Sequence, residues 1–153
     1  MLTNNFFDLF HKGAFMFGFN PETHVDSKAY RMYVSCIIAI TEVLREYEIN
    51  IKNKGYTYIV DSIMIILDLN KLDLRLSSEV YPFIRRKYRL NNSAAVEHAI
   101  RNAIKSAHSR CQRKSAKSSM KDHTKKPTNK QFLLVVTQEV VNRMHKDFLN
   151  SNN

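Results

Sequence analysis

The sequence predicts an all-α fold, a compact helical domain of about six helices that contains a helix-turn-helix. Three observations carry this. Only three glycines and three prolines occur in 153 residues, and no stretch sustains the period-two alternation of a half-buried strand. Apolar residues recur instead at helical spacing, most clearly where Val96, Ala99, Ile100, Ala103, Ile104 and Ala107 fall at i, i+3, i+4, i+7, i+8 and i+11. A hydrophobic share of 44% gives a chain of this length enough apolar side chain for one real core.

Residues 1–26 read as an arm. Phe6, Phe7, Phe10, Phe15, Phe17 and Phe19 need burial against the domain or a second copy, and Asn20-Pro21 marks a turn. A helical domain, 27–149, follows. Its first helix runs from Ser27 to about Tyr47, with Met32, Tyr33, Val34, Ile37, Ile38, Ile40 and Leu44 as a broad apolar face. The segment EINIKNKG is a loop, in which Gly55 suits a positive φ or a close approach. Tyr56 to Leu69 is apolar nearly all round and should be the central buried element. After a connector, Asn70 to Leu76, the first helix of the helix-turn-helix starts at Ser77 or Ser78 as cap, with Pro82 in its first turn. Asn91, Asn92 and Ser93 supply the turn, and a second helix spans about 93–110. Residues 111–126, rich in Lys, Arg and Ser, read as a flexible basic linker. A final helix, 128–149, is capped by Thr128 or Asn129. Phe132, Val135, Val136, Val140 and Met144 form its inner stripe, and Leu133, Leu134 and Val141 a second apolar edge that suits a partner.

The charge is uneven, and that points to a partner. The net charge is +10, yet residues 85–130 hold 14 Lys/Arg against two acids, a local charge of +12. Such concentration is the footprint expected for a polyanion. The side of the second helix opposite its apolar stripe presents Glu97, His98, Arg101, Asn102 and Lys105, hydrogen-bonding groups in a row on a rod that fits a DNA major groove. Those five are the expected base readers. Arg85, Arg86, Lys87, Arg89, Arg110, Arg113 and Lys114 are the expected phosphate contacts. Other classes find little support. The six histidines are scattered, with no HExxH, no paired cysteines and no glycine loop to cradle phosphate, so neither an enzyme, a cofactor nor a metal site is expected. No membrane span or export signal is legible, and Cys36 and Cys111, 75 positions apart, read as reduced thiols of a cytoplasmic, nucleoid-associated protein.

Four stretches in order carry a resemblance: KGYTY at 54–58, EVYPFIRRKY at 79–88, VEHAIRNAI at 96–104 and KPTNKQF at 126–132. From about residue 30 to 148 the chain resembles the DNA-binding effector domain of the sporulation master response regulator, stage zero sporulation protein A. That family has a VLYPDIAKKF-type run, a VERAIRHAI recognition helix and a KPTN opening to its last helix. The resemblance implies an all-helical domain of about six helices that binds TGTCGAA-like promoter boxes, often as tandem dimers. Glu97 and Arg101 match the family's reading positions. Ala95 and His98 stand where it has arginines, Asn102 where it has histidine, and the turn near Arg89 to Asn92 is one residue longer. Some 30 Phe-rich residues precede the domain, too few for the family's receiver, so phosphorylation control is expected to be absent. The basic linker replaces the family's sigma-contacting segment, which favours repression by occupancy over activation. The alternative expectation is a receiverless antagonist that pairs with a full-length regulator through the C-terminal helix or the Phe-rich arm, as a homodimer or heterodimer.

Overall fold

The computed structural model describes residues 28–71, 73–115 and 125–151. The arm 1–26 lies outside them, as does most of the linker. Among the described residues the protein is all helical: α1 (Lys28–Glu46), α2 (Lys54–Leu69), α3 (Tyr81–Lys87), α4 (Ser93–Ser115) and α5 (Asn129–Ser151), with a π-helical turn, Leu76–Val80, leading into α3. Five α-helices and this turn stand where about six helices are expected.

Helix α1 ends in a Schellman turn. Ile49 N–H donates to Leu44 O and Glu48 N–H to Arg45 O, both at 3.0 Å, and Glu48 takes the left-handed conformation with φ 58°. Ile49 and Leu44, the apolar pair that accompanies such a turn, are both buried. Helix α2 starts where Asn53 Oδ1 accepts from Gly55 N–H at 2.9 Å, and it ends at Asn70, another left-handed residue. It is the central element, as its composition predicts: Tyr58, Ile59 and every residue from Ser62 to Leu67 are buried. Ser62 Oγ donates to Tyr58 O within the helix at 2.7 Å, which satisfies the buried hydroxyl. Gly55 serves a close approach and not a positive φ, since a Cβ there would run into Ala99 O and come within 2.7 Å of Ala103 Cβ. Helices α2 and α4 therefore touch backbone to backbone at this point. Cys36 is buried in α1, its Sγ donating to Met64 Sδ at 3.6 Å, and burial pushes its thiol up to about 12.

The entry to the helix-turn-helix differs from expectation. Neither Ser77 nor Ser78 caps it; both are exposed within the π-helical turn, and the N–H of Arg75 just ahead of the turn is met by Glu79. That carboxylate accepts from Arg75 N–H at 2.7 Å and from Lys71 Nζ at 2.5 Å, which holds it well below the usual carboxylate range, the Lys71 bond first. Pro82 sits in the first turn of α3, where its missing N–H leaves no bond unmade. Helix α3 closes in a second Schellman turn, with Leu90 N–H on Arg85 O at 2.9 Å, Arg89 N–H on Arg86 O at 3.2 Å and Arg89 at φ 52°. The left-handed residue of this turn is thus Arg89 and not one of the asparagines. Asn92 is the cap of α4, its Oδ1 accepting from Ala95 N–H at 3.0 Å. Helix α4 then continues through Ser115, five residues into the stretch read as linker.

Helix α5 opens on a reciprocal capping box. Thr128 Oγ1 accepts from Gln131 N–H at 3.2 Å, and Gln131 Oε1 accepts from Thr128 N–H at 3.0 Å. The helix runs back along α1: Tyr47 meets Phe132 edge-on at 5.6 Å, while Arg143 pairs with Glu46 at 2.5 Å and Glu42 at 3.5 Å. Its inner stripe corrects the sequence phase. Leu133 is fully buried and Val135 is 52% exposed, because the buried arc is centred on Leu133, Val136 and Val140. Thr137 lies on that arc and donates to Leu133 O at 2.7 Å. Leu74 of the connector is also fully buried.

Candidate nucleic-acid interface

Helix α4 divides along its length. Val96, Ile100, Ala103, Ile104 and Ala107 are buried against the core, with Ala99 partly so. Ala95, His98, Arg101, Asn102 and Lys105 are exposed on the other side, and Glu97 stands at the border with its side chain 41% accessible. The small alanines let α4 sit against Gly55 of α2, so the rod is seated deeply while its polar row stays in solvent. Within the row Arg101 and Glu97 form an i,i+4 ion pair. Exposed pairs of this kind are weak, roughly 0.3–0.5 kcal/mol, so either group can turn to another partner at little cost.

The expected phosphate contacts fall into two groups. Arg85, Arg86, Lys87 and Arg89 are exposed together at the closing end of α3. Each of the first three also serves the fold: Arg85 Nε donates to Leu90 O at 3.3 Å, Arg86 lies 4.7 Å over the Phe83 ring, and Lys87 Nζ reaches Asp61 Oδ1 at 2.8 Å. Beside that pair Tyr88 packs on Tyr58 at 5.1 Å, and burial, with the adjacent Asp61 carboxylate, pushes its phenol well above the usual range. Further along α4, Arg110 is half-buried and its Nη2 donates to Glu48 O at 2.6 Å, bridging to the turn that ends α1. Arg113 Nε donates to Ser109 O at 3.1 Å, and the side chain of Lys114 lies outside the described residues. Asn102, Lys105, Ser106, Ser109, Arg110 and Arg113 line one shallow, open depression on this helix. The structure thus brings the five expected reading positions onto one side of α4, with Glu97 at its border, places the α3 cations at one end of the unit, and ties Arg110 into the scaffold.

Sequence reasoning passed over Asn129. Its Nδ2 donates to Tyr81 Oη and to Glu97 O, both at 3.1 Å, so one side chain joins the start of α5 to the start of α3 and to the reading row of α4. The sequence names it only as a possible cap, a role that Thr128 holds, and as the last residue of the KPTN stretch.

A family model described as sporulation initiation factor Spo0A C terminal matches residues 40–140, about two thirds of the chain. The chain belongs to that family. It is a DNA-binding family of sporulation and transcription regulation, and the match spans α2, α3 and α4 whole, from within α1 to within α5. No solved structure matches the chain at a significant level. No helix among the described residues is long and apolar enough to cross a membrane, and no cluster of three or more metal-ligating side chains occurs among them.

Proposed function

We propose that the chain is a sequence-specific regulator that binds double-stranded DNA with α4 in the major groove. The observation that carries this reading is the division of α4, with a small apolar stripe seated on the core and Glu97, His98, Arg101, Asn102 and Lys105 on the opposite, accessible strip. Arg101 is suited to a guanine edge and Glu97 to a cytosine amino group, while His98, Asn102 and Lys105 reach neighbouring bases or phosphates. Arg85, Arg86, Lys87 and Arg89 supply a salt-dependent phosphate contribution from the end of α3. The target is a promoter box of the TGTCGAA type, altered where Ala95 and His98 replace arginines.

The test is a salt titration of binding to duplexes with and without such a box, comparing the wild type with Arg101→Ala. Preference for the box, lost in the variant, is the expected result. Equal and steeply salt-dependent binding to both duplexes, unchanged by Arg101→Ala, would leave only a non-specific polyanion binder.

A further inference from the structure

The segment that opens α5 returns to the reading helix. The two Asn129 bonds, to Glu97 O and Tyr81 Oη at 3.1 Å, place it beside the first turns of α4 and the opening end of α3. The segment reads Lys125-Lys126-Pro127-Thr128-Asn129-Lys130 and contains no acid; the next acid downstream is Glu139. Lys126 and Lys130 are exposed. Among the described residues neither takes part in an ion pair, in contrast to Arg101, Lys87 and Arg143. Their backbone is also fixed, by Pro127 and by the Thr128–Gln131 capping box.

We propose that Lys126 and Lys130 form a second phosphate-contacting edge of the DNA interface, held in register with the reading row by Asn129. This rests on the reading of α4 as the DNA-binding helix. The α3 cations stand at the closing end of α3, and Tyr81, which Asn129 grips, stands at its opening end. The two ends of α3 lie about 9 Å apart at 1.5 Å per residue, so the two edges engage the DNA backbone at separate points. A lysine ammonium is a compact charge with three rotatable donors, suited to a phosphate oxygen, and such contacts position the protein without reading sequence.

The test compares the full chain with Lys126→Gln/Lys130→Gln and with a control of equal charge loss, Arg31→Gln/Lys146→Gln, whose exposed side chains lie at the far end of the α1–α5 pair. Fluorescence anisotropy on box-containing and scrambled duplexes is followed across KCl concentration. The lysine variant is expected to lower the slope of log affinity against log salt by about 1.8, equally on both duplexes, because each lost phosphate contact removes about 0.9. Its preference for the box should stay at the wild-type ratio. A slope change no larger than the control's would overturn the second edge while leaving the major-groove reading intact. If the wild-type chain binds neither duplex, that reading falls and the edge with it.

Discussion

The two faces of α4 are built on opposite rules. The inner face has no slack: at Gly55 the neighbouring helix comes so close that a single added carbon meets a backbone oxygen. The outer face is made of polar side chains, most of them exposed to solvent. The difference teaches how a helix can be fixed to better than a side chain's width while its functional groups stay adaptable. Substitutions inside should change stability, and substitutions outside should change binding and leave stability nearly alone.

The sharpest way to break this comparison is Gly55→Ala. Overpacking costs about 1–3 kcal/mol and sometimes more, and the better helix propensity of alanine returns only about 1 kcal/mol. Because Ala99 O is backbone and cannot swing aside, the effect should lie at the upper end, with a net loss of at least about 2 kcal/mol. For a domain of this size that lowers Tm by roughly 4–8 °C, which calorimetry reads directly. A Tm change within about 1 °C would mean that α2 and α4 part easily, and that the inner face is looser than it looks.

On the outer face Arg101→Ala is the counterpart. Loss of an arginine–guanine contact removes about 1–3 kcal/mol of discrimination, roughly 5- to 150-fold between box and scrambled duplex. Its ion pair with Glu97 is exposed, so Tm should move by about 2 °C or less. A large fall in Tm with an unchanged duplex ratio would place Arg101 on the structural side of the division.

The division itself was legible in the sequence. The i, i+3, i+4 spacing from Val96 to Ala107 already separates buried from exposed positions, and the structure keeps that separation with Glu97 and Ala99 at its border. Local chemistry was legible too, as at the Thr128 cap. What escaped was contact over distance. Arg110 reads as a surface cation until Glu48, 62 positions earlier, comes beside it, and Asn129 reads as a cap until Tyr81 and Glu97 meet it from 48 and 32 positions away. The phase of α5 was missed because its buried arc faces more than one neighbour, so Leu133 and Val135 cannot be ranked by hydrophobicity alone. The π-helical turn was missed because Ser77 and Ser78 carry a stronger local cap signal than a glutamate acting back across the turn.

Arg110 sharpens the comparison at its border. Its guanidinium caps the carbonyl of Glu48, at the negative end of α1, and the site is half-buried. Arg110→Gln should therefore cost about 1–2 kcal/mol of stability, less than the full value of a buried charged hydrogen bond. The salt slope of DNA binding should stay within about 0.3 of wild type, whereas a residue holding a phosphate would take about 0.9 with it.

The smallest effect comes at Arg89, and it runs in two directions at once. Arg89 takes φ 52° in the turn between α3 and α4, a conformation that disfavours any residue with a Cβ by roughly 1–2 kcal/mol and glycine hardly at all. The Schellman geometry there would suit glycine well. An exposed arginine in that place, on the row with Arg85 and Arg86, costs the fold something and serves it little. Arg89→Gly should raise stability by up to about 1 kcal/mol, part of the gain being lost to the freer unfolded chain, and so raise Tm by roughly 2–4 °C. The same substitution should lower the salt slope of DNA binding by about 0.9 and weaken binding to both duplexes alike. Stability and affinity moving in opposite directions would mark Arg89 as an outer-face residue that the backbone tolerates for the sake of its charge. A gain in Tm with no change in binding would show that the cation of this turn contacts nothing on the DNA.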